Sequence, residues 1–135
     1  MINKSILKFE NYFINEITFS KNEEFNIKNP IELDLDFSYN FTEKENKTFV
    51  KLTLKIFDEN YIQNQKPFFM KVSITGIFQI ENYDTTNKDH KNLISKNTLT
   101  ILFPYLRSTI THISLEAQIN PIIIPPINIQ SYFEK

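Results

Sequence analysis

Apolar and polar side chains alternate strictly from residue 31 onward. Ile31, Leu33, Leu35, Phe37, Tyr39 and Phe41 take one parity, and Glu32, Asp34, Asp36, Ser38 and Asn40 take the other. Successive strand side chains point to opposite faces, so this stretch predicts a half-buried β-strand. The charged, glycine-free segment Thr42 to Lys47 predicts a hairpin loop longer than a two-residue turn. A second strand follows, with Val50, Leu52, Leu54 and Ile56 inward and Lys51, Thr53 and Lys55 on a cationic outer face. Phe68, Met70, Val72, Ile74, Gly76, Phe78 and Ile80 alternate with Phe69, Lys71, Ser73, Thr75, Ile77 and Gln79, which predicts the longest strand. Gly76 is the only glycine and marks a bulge or a close backbone approach. Upstream, Leu7 to Ser20 reads as an edge-like first strand, clearest at Ile17 and Phe19. Lys21–Pro30, Asp58–Lys66 and Asn82–Asn92 read as polar loops, the last ending in a loose helical turn.

The period then changes. Leu99, Leu102, Phe103, Leu106, Ile110, Ile113 and Ala117 form one stripe at helical spacing, with Arg107, Ser108, Thr111, His112, Ser114 and Glu116 largely off it. Pro104 lacks a backbone donor and disfavours helical geometry at Phe103, so the helix either starts near Pro104, the favoured reading, or kinks there. Pro121, Pro125 and Pro126 forbid continuation, and the strap between them is expected to be extended and stiff. Asn128 caps a final short helix reaching Lys135. The pattern is that of an α+β domain over residues 1–135: a four-stranded antiparallel sheet, a long helix, a proline-rich crossover strap and a short C-terminal helix.

Composition narrows the function. With 135 residues and 41% hydrophobic content, one domain buries roughly 65–70% of its unfolded surface. No cysteine is present, which removes disulfides, thiolate catalysis and cysteine zinc sites. A net charge of −1 offers no footprint for nucleic acid or an anionic membrane. The start MINKSILKFENYF lacks an apolar signal region and no run is long enough to insert in a membrane, so a cytoplasmic protein is expected. His90 with Asp89, and His112 with Glu116, supply too few ligands for a metal. Glu32, Asp34 and Asp36 stand opposite Lys51 and Lys55, which reads as cross-strand charge pairing rather than as catalytic carboxylates. With one glycine there is no phosphate loop and no nucleophile elbow, so neither an enzyme nor a cofactor is expected.

Binding by apolar surface is what remains. Ile119, Ile122, Ile123, Ile124, Ile127 and Ile129, with Tyr132 and Phe133, exceed what one helix and a small sheet can seal. A groove along such a strap accepts extended apolar chain without side-chain specificity, because apolar burial is non-directional. That is the requirement of a chaperone that holds unfolded protein. A structural oligomer subunit, with the strap as its interface, is the alternative from another class.

The run Ile101-Leu102-Phe103-Pro104-Tyr105, then Arg107, Ile110, Thr111, Pro121 and Ile124-Pro125-Pro126-Ile127-Asn128, resembles the SecB family of protein-export chaperones. Gly76-Ile77-Phe78-Gln79-Ile80 and Asn15-Glu16-Ile17-Thr18-Phe19 resemble two strands of that family. The resemblance implies a cytosolic homotetramer, a dimer of dimers, in which Leu102, Leu106, Ile110 and Ile113 form the oligomer-interface helix stripe. It implies a groove for unfolded polypeptides or preproteins at Ile119, Ile122, Ile123, Ile124, Ile127, Tyr132 and Phe133. It also makes SecA, the translocation motor, a candidate partner through an acidic sheet face. On that face Glu16 keeps an acid, whereas Ser20 and Lys71 replace acids, and the chain stops at Lys135 without the family's tail. A glycine of the family after the long helix is replaced by Glu116-Ala117-Gln118. Export and service to a dedicated client, such as an antitoxin or a phage or mobile-element protein, are both open on these residues.

Overall fold

Period-two patterning produces four strands, and the switch to helical spacing produces one helix laid across them. The computed structural model describes residues 7–25, 32–80, 88–120, 122–125 and 128–129, with side chains at all of these except 80 and 88–95. The elements are β1 (Leu7–Lys21), β2 (Leu35–Lys44), β3 (Lys47–Ile56), β4 (Phe68–Ile80) and α1 (Lys88–Glu116). The sheet is antiparallel in the order β1-β4-β3-β2, so β1 and β2 are its edges.

Cross-strand register shows why one helix suffices for the core but not for the whole face. Ile14, Ile74, Leu52 and Tyr39 lie in one row across the sheet. The central pair, Ile74 and Leu52, is fully buried, whereas Ile14 and Tyr39 at the ends are 46% and 42% exposed. α1 rests on β4 and β3, the two central strands, and its stripe Leu99, Leu102, Phe103, Leu106 and Ile110 is buried there. Each such side chain contributes about 1.5–3 kcal/mol on burial. Gly76 is the close-approach site: a Cβ there would lie 2.6 Å from Leu102 Cδ2 and 2.7 Å from Phe78 Cε2. The bulges fall instead on β1, between Phe9 and Asn11 and between Ile14 and Glu16.

Several local expectations are corrected. The hairpin between β2 and β3 is a two-residue turn at Glu45 and Asn46, with φ of 51° and 66°, rather than a longer loop. Positive φ at both central residues matches the right-handed twist of the flanking strands, and asparagine tolerates it without glycine. β2 begins at Leu35 rather than Ile31, leaving Glu32 and Asp34 outside the ladder. Asp36 is in register with Lys55, but the Lys55 ammonium bonds Glu59 at 2.8 Å, so the expected cross-strand pairing is replaced by a pair within the following turn. The longest strand is β1, at 15 residues against 13 for β4. The helix runs 29 residues with Pro104 inside it, instead of starting near the proline. The carbonyl deprived of its donor by Pro104 belongs to Thr100, and both residues sit on the exposed side of α1, where solvent can satisfy it. Packing of Leu99, Leu102 and Phe103 outweighs the local preference. Residues 88–92, read as the end of a loop with a loose helical turn, belong to α1. Of the short helix expected after Asn128, Ile129 is helical and residues 130–135 lie outside the described residues.

Candidate functional site

The strap is aimed by the way α1 ends. Gln118 adopts φ 58°, the Ile119 amide donates to the Ser114 carbonyl at 3.1 Å, and the Gln118 amide donates to the Leu115 carbonyl at 3.1 Å. This paired arrangement closes a helix with a left-handed residue just past its end, usually glycine. Here Gln118 takes the strained position, and the half-buried Ile119 packs against the core beside it. The chain is thereby turned back along the helix it has just left.

Three helix side chains then receive the strap backbone. The Ile122 amide donates to Ser114 Oγ at 2.9 Å, and Ser114 Oγ donates to the Thr111 carbonyl at 2.7 Å. Thr111 Oγ1 donates to the Ile122 carbonyl at 2.8 Å and lies 3.2 Å from the Arg107 carbonyl. Arg107 Nε donates to the Ile124 carbonyl at 2.8 Å, with its guanidinium carbon 5.7 Å from the centre of the Phe103 ring. The Ile122 amide and the carbonyls of Ile122 and Ile124 thus find their partners in Ser114, Thr111 and Arg107. Sequence reasoning placed these residues off the stripe and assigned them no role. Their spacing of four and three residues along one helix edge, opposite a proline-rich segment, was the available signal.

The expected client-binding residues are divided by this ladder. Ile122 and Ile124 turn inward, 7% and 3% exposed, and join the core with Ile129; Ile123 between them is 76% exposed. Ile119 is half-buried, while Ile127, Tyr132 and Phe133 lie outside the described residues. Of the expected oligomer stripe, Leu102, Leu106 and Ile110 are fully buried within this single chain and Ile113 is half-buried, so the stripe faces the chain's own sheet. Beside Ile123 a cleft of about 260 Å³ is lined by Pro104, Arg107, Ser108, Thr111, Ile123 and Ile124. A second apolar exposure runs along the edge strand β1, at Phe13, Ile14 and Ile17.

Glu16 stands on the sheet face away from α1, as do Lys51 and Lys71. It accepts a hydrogen bond from Thr18 Oγ1 at 2.8 Å and pairs with Lys71 Nζ at 3.3 Å. Its carboxyl is held below the ordinary glutamate value, first by the Thr18 hydroxyl and then by Lys71. Because the folded pKa is the depressed one, this contribution is present above the unfolded value of about 4.3 and is lost as pH falls through the folded pKa. An NMR titration of the Glu16 carboxyl is expected to give a midpoint below the ordinary value, and Thr18→Val is expected to raise it. An unchanged midpoint in Thr18→Val would show that the hydroxyl does not hold the carboxylate.

A family model described as Preprotein translocase subunit SecB matches residues 3–135. The chain belongs to the SecB family. SecB-family proteins are chaperones and not enzymes. Among its relatives is an uncharacterized protein of Methanocaldococcus jannaschii, 30% identical over 93% of this chain and 81% of that protein. Another is the protein-export protein SecB of Rickettsia akari, 25% identical over 77% of this chain and 67% of that protein. In fold the SecB-family chain is similar to the Mycobacterium tuberculosis SecB-like chaperone solved in complex with an antitoxin peptide. The TM-score is 0.71 at 13% identity, covering 90% of this chain and 87% of that one. Among the described residues, no group of three or more His, Cys, Asp or Glu could hold a metal. No described helix is long and apolar enough to cross a membrane.

Proposed function

We propose that this chain is an ATP-independent holdase of the cytoplasm that binds unfolded polypeptide along its strap. The observation that carries this reading is Ile123, 76% exposed on a backbone whose neighbours Ile122 and Ile124 are buried and whose polar groups are tied to α1. A large apolar side chain on a backbone anchored to either side offers non-directional attraction at little ordering cost. Ile119, Ile127, Tyr132 and Phe133 extend this surface in our reading, with Ile122 and Ile124 supporting it from beneath. The outer edge of β1, unpaired among the described residues and with Ile14 and Ile17 exposed, is the face we assign to self-association into a dimer of dimers.

Preproteins bound for SecA are the clients suggested by the export role named for the rickettsial relatives. A dedicated client is the second reading. It is favoured by Glu16, whose charge is neutralised by Lys71 on a face that also carries Lys51, which weakens an acidic docking site for the motor. The antitoxin peptide held by the M. tuberculosis protein supports the same reading.

The test is suppression of aggregation. A chemically unfolded, slow-folding protein diluted into stoichiometric amounts of this chain is expected to scatter less light and to co-elute with it. Ile123→Asp, at an exposed position, is expected to reduce that suppression several-fold with the melting temperature unchanged. Ile124 is unsuited to the purpose, because aspartate there would disturb the core. Suppression undiminished in a folded Ile123→Asp protein would move the binding surface elsewhere.

A further inference from the structure

Two bulges in β1 shape the sheet face that points away from α1. Straight alternation would give Phe13 the parity of Ile17 and Phe19, on the face toward the helix. The extra residue between Ile14 and Glu16 reverses that parity, so Phe13 lies in register with Thr75 on the opposite face, 44% exposed. This bulge is pinned by the Thr75 hydroxyl, which donates to Asn15 Oδ1 at 2.5 Å. The residue inserted at the other bulge, Glu10, bonds Lys47 Nζ at 3.0 Å. On the same face Ile77 pairs with Phe49, both half-buried, and Phe13 lies diagonal to Ile77. Lysines frame this apolar centre. Lys47 and Lys51 flank Phe49 along β3, and Lys8 and Lys44 continue the row of Lys47 onto the two edge strands. All four are exposed. The acids beside them are Glu10 and, in the hairpin turn, Glu45, so four lysines stand against two glutamates on a chain whose net charge is −1.

We propose that this face docks an acidic, extended segment of a partner protein, with one apolar residue between two carboxylates. A strand advances about 3.3 Å per residue, so Lys47 and Lys51 lie ~13 Å apart with Phe49 midway. An extended segment with carboxylates at its first and fifth positions and an apolar side chain at its third presents all three to one side, at the same spacing. The carboxylates meet the two ammonium groups, and the apolar side chain lies against Phe49, Ile77 and Phe13. The sign of the charge selects against a basic segment. Half-buried Phe49 beside aliphatic Ile77 suits a single apolar side chain better than a run of stacked bases. The surface lies across the sheet from α1 and its strap, so the proposal goes beyond the holdase reading and does not depend on it.

A fluorescently labelled peptide with the pattern Glu-Ser-Leu-Ser-Glu tests this against the same peptide with Gln at both acidic positions. By anisotropy, the Glu peptide is expected to bind roughly tenfold more tightly, with the difference shrinking as salt rises. Lys51→Glu is expected to erase that difference while aggregation suppression stays at the parental level. Ile123→Asp, on the strap, is expected to leave the difference in place. Circular dichroism and melting show whether each variant is folded, and Lys51→Gln is read in the same way should the charge reversal unfold the protein. Equal affinity of the two peptides, or a preference that survives in the folded Lys51 variant, would overturn the docking face while leaving the holdase standing. A preference lost in folded Ile123→Asp would show the peptide to be held as a client along the strap, which also overturns the proposal. So would an oligothymidylate of equal charge binding as tightly as the Glu peptide, since the face would then select charge alone.

Discussion

Ile110→Asp is expected to abolish cooperative folding. Ile110 is fully buried in the stripe that α1 lays on β3 and β4. Truncation of such a side chain alone costs about 2–5 kcal/mol. An aspartate adds either an unpaired buried charge or the cost of staying protonated, several kcal/mol more. Against a total stability of about 5–15 kcal/mol for a small domain, little remains. The variant should be insoluble or should lack a cooperative thermal transition by circular dichroism. Ile110→Val, at about 0.5–1.5 kcal/mol, should fold and melt only slightly earlier. A soluble Ile110→Asp protein with parental melting would mean that the stripe is not packed on the sheet.

Ser114→Ala carries the second-largest effect, because Ser114 is the one ladder residue fully buried in α1. Its Oγ accepts the buried Ile122 amide and donates to the Thr111 carbonyl. Alanine leaves that amide without an acceptor, a loss of about 1–3 kcal/mol, offset by a few tenths of a kcal/mol from its better helix propensity. The loss falls on the strap rather than on the sheet. Hydrogen exchange at the Ile122 amide should therefore accelerate by about tenfold or more, since ~1.4 kcal/mol is a factor of ten. Exchange within β3 and β4 should change less. Unchanged exchange at Ile122 would show that the strap is held by its isoleucines alone. Loss of client binding in the same variant would tie the ladder to function, because a loosened strap no longer presents Ile123 on a fixed backbone.

The sheet was legible because its signal is local. Val50 to Ile56 and Phe68 to Ile80 alternate in parity, and both became central strands whose inward residues, Val50 to Ile56 and Phe68 to Phe78, are buried. Leu99 to Ile110 was legible for the same reason at helical period. Tyr39 and Ile17 share that parity logic yet are 42% and 49% exposed, because they sit on edge strands away from β3 and β4, where α1 rests. Parity tells which face a residue takes, and strand order tells whether anything covers it. Pro104 misled for a related reason: its penalty is local, whereas burial of Leu99, Leu102 and Phe103 is tertiary and larger.

The functional surface divides along the same line. The excess of isoleucine between Asn120 and Ile129 marked the strap as more than a connector, and the residues resembling the SecB family placed the chain in the family to which it belongs. Which isoleucine stays outside was not written there. That choice depends on where the strap backbone finds partners, and those partners lie 8, 11 and 17 residues back along the chain, at Ser114, Thr111 and Arg107. The sequence by itself determined the strands, the helix stripe and the family, because periodicity and motif spacing are properties of neighbours. Only the tertiary structure decided that Ile122 and Ile124 are core, that Ile123 is surface and that Arg107 lines a cleft beside the strap. Buried backbone groups must be satisfied by whatever the fold brings within reach, and that reach is set by how α1 ends and turns the chain back upon itself.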